Sequence, residues 1–229
     1  MPSTAPDQGF QGKQTIFIVD DHPVLRRGLT ALIESESDLA VCGEAATCQA
    51  ALTAIHERQP DLVIVDIVLE GYDGLDLIKQ MKARLPTLPA LVLSMYDEME
   101  YAERALRVGA SGYVSKQQLD ATLLVAIRRL LRGKIHLSAQ LEARLASKFV
   151  SGQTLEPDSP LNVLSNRQLQ VFRMIGQGRS TRQISETLHL SIKTIESHRE
   201  HIKHKLAIET AAELAQRATQ WVETGRSGG

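Results

Sequence analysis

Five side chains of this 229-residue chain have the types and placements to do chemistry together. Each follows a short apolar run. Asp20 and Asp21 close "TIFIV", Asp66 closes "DLVIV", Ser94 closes "LVL" and Lys116 follows "GYVS". Two adjacent carboxylates at the end of a buried segment make each other costly to ionise unless a cation neutralises them. Three carboxylates favour a hard divalent cation. Mg²⁺ suits such a site because it takes few protein oxygens and keeps positions for water and phosphate. A carboxylate can also act as a nucleophile and form an acyl phosphate. Phosphoryl transfer asks for positioning and charge neutralisation, which Mg²⁺, the Lys116 ammonium and the Ser94 hydroxyl would supply. Taken singly, an aspartate at a strand end is a turn former, a serine there caps the next helix, and a lysine is a solvated charge. Their joint placement is what argues for a site.

The elements that must bring these groups together follow from periodicity. The runs "TIFIV", "LAVCGEA", "DLVIVD", "PALVLS" and "SGYVS" alternate with amphipathic stretches near 23–34, 48–58, 75–84, 98–108 and 119–132. Continuous apolar runs, rather than alternating ones, mark strands covered on both faces. Five such units in about 120 residues specify an α/β fold with a doubly wound, five-stranded parallel sheet of the flavodoxin-like kind. Ligands of such sheets sit at the carboxyl ends of the strands, near the topological switch point.

The rest of the chain reads differently. Residues 1–133 hold 13 Lys/Arg against 18 Asp/Glu, whereas residues 161–229 hold 10 against 6 and four of the seven histidines. An acidic front and a basic back suggest two modules with different partners. Residues 1–13 read as a disordered leader without the pattern of a signal peptide. No 18-residue apolar run spans a membrane. Cys42 and Cys48 lack metal-ligand spacing and read as small, partly buried side chains in a reducing cytoplasm. Residues 134–160 form a linker. Within it 134–149 reads as one short helix after a turn at Gly133, and "SGQTLEPDSP" is loop-like.

Beyond that linker the pattern is all helix. Capping boxes open three segments: Ser165 with Gln168, Ser180 with Gln183, and Thr210 with Glu213. Ser191 is a fourth N-cap. Helices are expected near 166–177, 181–188, 192–206 and 210–222. In "SIKTIESHREHIKHKL", Ile192, Ile195, Ile202 and Leu206 make a buried stripe. Lys193, Thr194, Glu196, Ser197, Glu200, Lys203 and His204 face the other way. A short helix, a brief turn and a helix exposing polar residues make an all-α, four-helix module of the helix-turn-helix kind.

Residues 14–133 resemble the receiver domain of two-component response regulators. The resemblance implies that Asp66 is the phosphoacceptor. It also implies that Asp21, Asp66 and the Val68 backbone carbonyl bind Mg²⁺ directly, with Asp20 acting mostly through water. Ser94 matches the hydroxyl that bonds the phosphoryl oxygens, Lys116 the lysine, and Tyr113 the aromatic switch. The spacings of 28 residues from Asp66 to Ser94 and 50 to Lys116 fit that family. One departure is Glu70, where the family often has proline. Val68 also sets an apolar side chain beside the phosphate, where it cannot orient an attacking water, so a long-lived phosphoryl group is expected.

Residues 161–225 resemble the DNA-binding domain of NarL/FixJ (LuxR-type) regulators through Leu164, Arg167, Val171, Gly176, Gly178, Ile184, Ser191, Lys193, Thr194, His198, Lys205 and Leu206. The resemblance implies phosphate contacts by Lys193, Thr194 and Arg182, and base-edge contacts by Glu196, Ser197 and Glu200. Arg199 and Lys203 add phosphate attraction, and His198 is a packed histidine. Together the two halves imply a cytoplasmic transcriptional regulator, not an enzyme. A sensor histidine kinase would phosphorylate it, and it would dimerise on double-stranded promoter DNA through its last helix. Two other readings remain open: a DNA-binding protein with a purely structural receiver, and a phosphatase with Asp66 as nucleophile.

Overall fold

The structure is a computed structural model. It describes residues 12–69, 72–96, 98–118, 121–150, 160–188 and 190–226. The chain divides into two compact units, Met1–Leu155 and Glu156–Gly229.

The first unit begins with β1 (Gln14–Val19), α1 (Pro23–Glu34), β2 (Leu39–Ala45), α2 (Cys48–Arg58) and β3 (Leu62–Asp66). A two-residue hairpin follows, β4 (Val68–Leu69) and β5 (Tyr72–Asp73). Then come α3 (Gly74–Arg84), β6 (Ala90–Ser94), α4 (Glu98–Arg107), β7 (Gly112–Ser115), α5 (Ala121–Leu131) and α6 (Ala139–Val150). The main sheet is wholly parallel, in the order β2-β1-β3-β6-β7. The four strands that end in the singled-out residues are therefore neighbours. The order in which strands are added reverses between β1 and β3, where Asp20 and Asp66 emerge.

The apolar runs pack as their continuity demands. Ile16, Ile18, Leu62, Ile64, Leu91 and Leu93 bury one face against Leu29 and Ile33 of α1 and Leu123, Ile127 and Leu130 of α5. Alternate residues Phe17, Val19, Val63, Val65 and Val92 are equally buried on the opposite face. Burying each such side chain contributes about 1.5–3 kcal/mol, so the strand ends are held firmly. Caps fix the helix entries. Pro23 starts α1, Thr47 Oγ1 accepts from Ala50 N, and Asp73 Oδ1 accepts from Leu75 N.

The stretch after the fifth strand is not helical from its start. Gly133 turns the chain with a φ of +71°. His136 then pairs in parallel with Gly112 at the sheet edge, and α6 begins only at Ala139, capped by Ser138. Edge pairing competes with helix there and wins over residues 134–138.

The second unit holds α7 (Asn166–Gly176), α8 (Thr181–Leu188), α9 (Ile192–Lys205) and α10 (Ala211–Arg226). The boxes at Ser165 and Ser180 form with both bonds. At the third, Thr210 Oγ1 accepts from Glu213 N, but the Glu213 carboxylate reaches Glu209 N instead of Thr210 N. Gly176 is required where α7 meets α10, because a Cβ there would lie 2.3 Å from the Ala218 carbonyl oxygen. Among the described residues no helix is long and apolar enough to cross a membrane. The leader up to residue 11, most of 151–160, and Glu70 with Gly71 lie outside the described residues.

Candidate functional site

Asp20 and Asp66 come together at the ends of β1 and β3, with side chains only 2% and 6% exposed. Lys116 reaches them from the end of β7. Its Nζ lies 2.6 Å from Asp20 Oδ2 and 2.6 Å from Asp66 Oδ2. Burial pushes the Asp66 carboxyl up to about 6, the Lys116 charge opposes this, and Asp20 adds to it. Burial works against the Lys116 ammonium too, but the Asp66 and Asp20 carboxylates outweigh it and hold the group above its ordinary value. One cation thus serves two buried anions, and the site is left one positive charge short.

The loop after β3 is shaped around Asp66. Val68 N donates to Asp66 Oδ1 at 3.1 Å, and Gly74 N donates to Ile67 O at 2.7 Å. A Cβ at Gly74 would sit 1.9 Å from the Asp66 backbone oxygen, so only glycine lets α3 start this close to the phosphoacceptor candidate. Ser94 is fully buried, and its Oγ accepts from Tyr96 N at 3.1 Å. Tyr113 is buried, with its hydroxyl donating to Tyr96 O at 2.9 Å. Tyr96 in turn lies against the Tyr101 ring, centroids 5.0 Å apart.

Asp21 is the more open acid. Its Oδ1 accepts no hydrogen bond although it is buried, and His22 Nδ1 lies 2.6 Å from it within ion-pair distance. Ligand atoms of Asp20, Asp21, His22 and Asp66 all fall within 4.8 Å of one another. Three carboxylates converging with one imidazole, one of their oxygens accepting no hydrogen bond, fit a divalent cation with hard oxygen ligands. His22 was not singled out from sequence, although it follows Asp21 directly. Its backbone N also donates to Asp20 Oδ1 at 2.7 Å, fixing the turn that aims the acids.

In the second unit, α9 is the exposed second helix of the helix-turn-helix. Ser191 caps it, accepting from Thr194 N at 3.0 Å. Ile195 and Ile202 are fully buried and Leu206 nearly so, anchoring one face. Ile192 departs from the expected stripe. It is 48% exposed, because the first helical turn overhangs the unit's core. Lys193, Glu196, Ser197 and Glu200 are exposed, as is Arg182 on α8. Thr194 and Arg199 are half-buried; Thr194 Oγ1 lies 2.7 Å from Ser191 Oγ, and Arg199 Nη1 lies 3.5 Å from Thr181 Oγ1. Lys203 is also half-buried, with Nζ 2.9 Å from Glu200 Oε1. Arg182 pairs with Glu186 at 3.1 Å. His198 is half-buried, and burial with the nearby Arg167 and His201 charges lowers its basicity. Lys205 Nζ donates to Gln168 Oε1 at 2.9 Å, tying α9 to the capping box of α7.

Comparison with known proteins agrees with this geometry. The family model for the response regulator receiver domain matches residues 16–128, and that for bacterial regulatory proteins of the luxR family matches residues 162–218. The oxygen regulatory protein NreC of Staphylococcus aureus is 33% identical over 207 residues, covering 89% of this chain and 95% of that protein. The chain belongs to the NarL/FixJ-type response regulators. Two solved structures place the regulator further. A LuxR-family response regulator from Aurantimonas is 33% identical with a TM-score of 0.56, covering 60% of this chain and 99% of its own. RcsB of Salmonella enterica serovar Typhimurium, solved on a promoter with the phosphomimetic BeF₃⁻, is 27% identical with a TM-score of 0.54. That match covers 89% of the regulator and 97% of RcsB. The regulator thus carries a receiver and a LuxR-type DNA-binding domain.

Proposed function

We propose that the regulator accepts a phosphoryl group on Asp66 from a partner histidine kinase, and that this switches dimerisation and promoter binding. The observation that carries the reading is the Lys116 ammonium shared between Asp20 and Asp66, which leaves the buried site short of positive charge. Such a site suits a step that brings in a cation and a phosphoryl group together. Asp21, Asp66 and the Val68 carbonyl would hold Mg²⁺, with Asp20 acting mainly through water. The ion would neutralise the charge of the phosphoryl group during transfer.

The chain's own residues do the rest. An Asp66 carboxylate oxygen attacks the phosphorus of the kinase's phosphohistidine. The P–N bond breaks, and the imidazole leaves and takes up a proton. Lys116 neutralises the phosphoryl oxygens and the Ser94 hydroxyl donates to one of them. Ser94 must then release Tyr96 N, and Tyr113 follows through its bond to Tyr96 O. Val68, half-buried beside the site, offers no group to orient an attacking water, so the acyl phosphate is long-lived. The receiver role is assigned to residues 14–133, the linker to 134–160 and DNA binding to 161–225.

On DNA, Lys193, Thr194 and Arg182 contact phosphates, with attraction added by Arg199 and Lys203. Glu196, Ser197 and Glu200 face base edges, where a carboxylate accepts from cytosine N4. A homodimer joined through α10 would bind two half-sites about one helical turn apart. The protein works in the cytoplasm and catalyses no turnover beyond its own phosphorylation and dephosphorylation. The test is Asp66 occupancy, mass in solution and DNA affinity, with and without Mg²⁺ and a small acyl phosphate, for wild type and Asp66→Asn. Gain of all three only in wild type supports the switch. Equal binding by both proteins under all conditions would sink it and favour a structural receiver.

A further inference from the structure

The chain between the last sheet strand and the second unit is fastened at several points. One is an exposed pair to α5, with Arg129 Nη2 at 3.5 Å from Glu142 Oε1. Three others fasten it to the sheet edge and α4, and these two elements lead back to the phosphoryl site. The first is the sheet edge. Tyr113 N donates to His136 O at 3.0 Å, and His136 N donates to Ser111 O at 3.1 Å. A Cβ at Gly112 would already crowd the His136 oxygen at 3.0 Å, so glycine permits this approach. The second is the start of α6, where Ser138 N donates to Glu98 Oε1 of α4 at 2.9 Å. The third is a clasp on α4. Lys148 Nζ lies 2.8 Å from both Glu103 oxygens, and Arg144 Nε lies 3.2 Å from Glu103 Oε1. Leu141 is fully buried beneath these polar contacts.

Tyr113 belongs to two connections at once. Its backbone holds His136, and its hydroxyl holds Tyr96 O, whose own N–H sits on Ser94 Oγ. The Tyr96 ring also rests on Tyr101, which lies on α4 between Glu98 and Glu103. A shift of Ser94 therefore reaches the sheet-edge and α4 supports of α6. The clasp pairs are partly exposed, with side-chain exposures of 43% for Arg144 and 27% for Lys148. Pairs of that kind are weak individually and are readily exchanged for water.

We infer that residues 134–150 are a strap, docked on α4 and the β7 edge in the resting state and released from α4 when Asp66 is phosphorylated. The strap leads directly into residues 151–159 and the second unit, so its release changes the tether on the DNA-binding domain. This rests on the phosphoacceptor reading of Asp66.

The test is hydrogen exchange by mass spectrometry on the full chain, with Asp66 phosphoryl occupancy read in the same samples. With Mg²⁺ and acetyl phosphate, amides of 139–150 are expected to exchange at least about tenfold faster in wild type, and not in Asp66→Asn. Glu103→Gln should give the faster exchange with no donor present. Tyr113→Phe, compared at equal occupancy, should blunt the response while keeping the His136 bond. Loaded Asp66 with unchanged exchange overturns the strap and leaves the phosphoacceptor standing. Failure to load Asp66 overturns both. Unaltered exchange in Glu103→Gln overturns the clasp, and a wild-type response in Tyr113→Phe overturns the route.

Discussion

Replacing Asp66 by Asn should stabilise the metal-free first unit at neutral pH, although it removes one partner of a buried ion pair. Asp66 loses more from burial and from Asp20 than Lys116 returns, so its carboxyl is pushed up to about 6 from an ordinary 3.8. That difference corresponds to about 3 kcal/mol of destabilisation once the group is ionised. The sign follows from proton counting. Between the unfolded and folded values the folded state binds more protons, so wild type loses stability as pH rises through that window and levels off above about 6. The Asn variant has no such proton to lose and keeps Lys116 paired with Asp20. Its advantage should be near zero below pH 4, grow across the window and stay at about 3 kcal/mol above it. For a unit of this size that is roughly 10 °C in the midpoint. Scanning calorimetry of both full chains in EDTA across pH reads the first-unit transition. Mg²⁺ should narrow the gap by stabilising wild type, about 1.4 kcal/mol at ten times its Kd. An Asn variant equal to or less stable than wild type at pH 7.5 in EDTA would refute the charge argument. So would a gap that does not change with pH.

Lys116→Ala strands two buried carboxylates and should cost about 3–5 kcal/mol at neutral pH. Urea titration should show part of the loss recovered by Mg²⁺ or by lowering the pH. Gly74→Ala drives a methyl group into the Asp66 carbonyl oxygen, so it should destabilise the first unit by about 1–3 kcal/mol. It should also slow acetyl-phosphate labelling, and normal stability with normal labelling would show that the loop yields freely. Lys193→Ala should weaken specific and non-specific duplexes alike and lower the salt slope of log K by about 1. A loss confined to one sequence would instead make Lys193 a base reader.

Much of the fold was legible because strand boundaries in this chain are abrupt. Runs such as "DLVIVD" are buried on both faces and stop at a charge, so the pattern identifies both the strand and the residue at its carboxyl end. That is why the sequence puts Asp20 and Asp66 at neighbouring strand ends, where Lys116 Nζ lies 2.6 Å from each, and Ser94 at the end of the adjoining strand. Features set by tertiary contact were not legible. The two-residue hairpin after Asp66 is too short to leave a periodic signal. His136 sits in a stretch that reads as helix, and only the open edge of β7 draws it into pairing. His22 carries no periodic mark, and its role emerges from the turn that its backbone makes with Asp20. Ile192 has the spacing of a core residue, but the core ends beneath it. In α9, spacing revealed the anchored face, whereas the pairing of Glu200 with Lys203 depends on side-chain reach that spacing does not encode.

The aromatic residues are divided between the two units. All four tyrosines lie in the first unit, and the single tryptophan, Trp221, is on α10, its ring centroid 5.9 Å from that of Phe172 on α7. The chain thus carries its own spectroscopic labels. Indole emission excited beyond the tyrosine band reports only the DNA-binding unit. Transfer of excitation from tyrosine to that indole reports the separation of the two units. Domain release, or its absence, could be followed by fluorescence in the unmodified protein, with no engineered probe to disturb the strap between them.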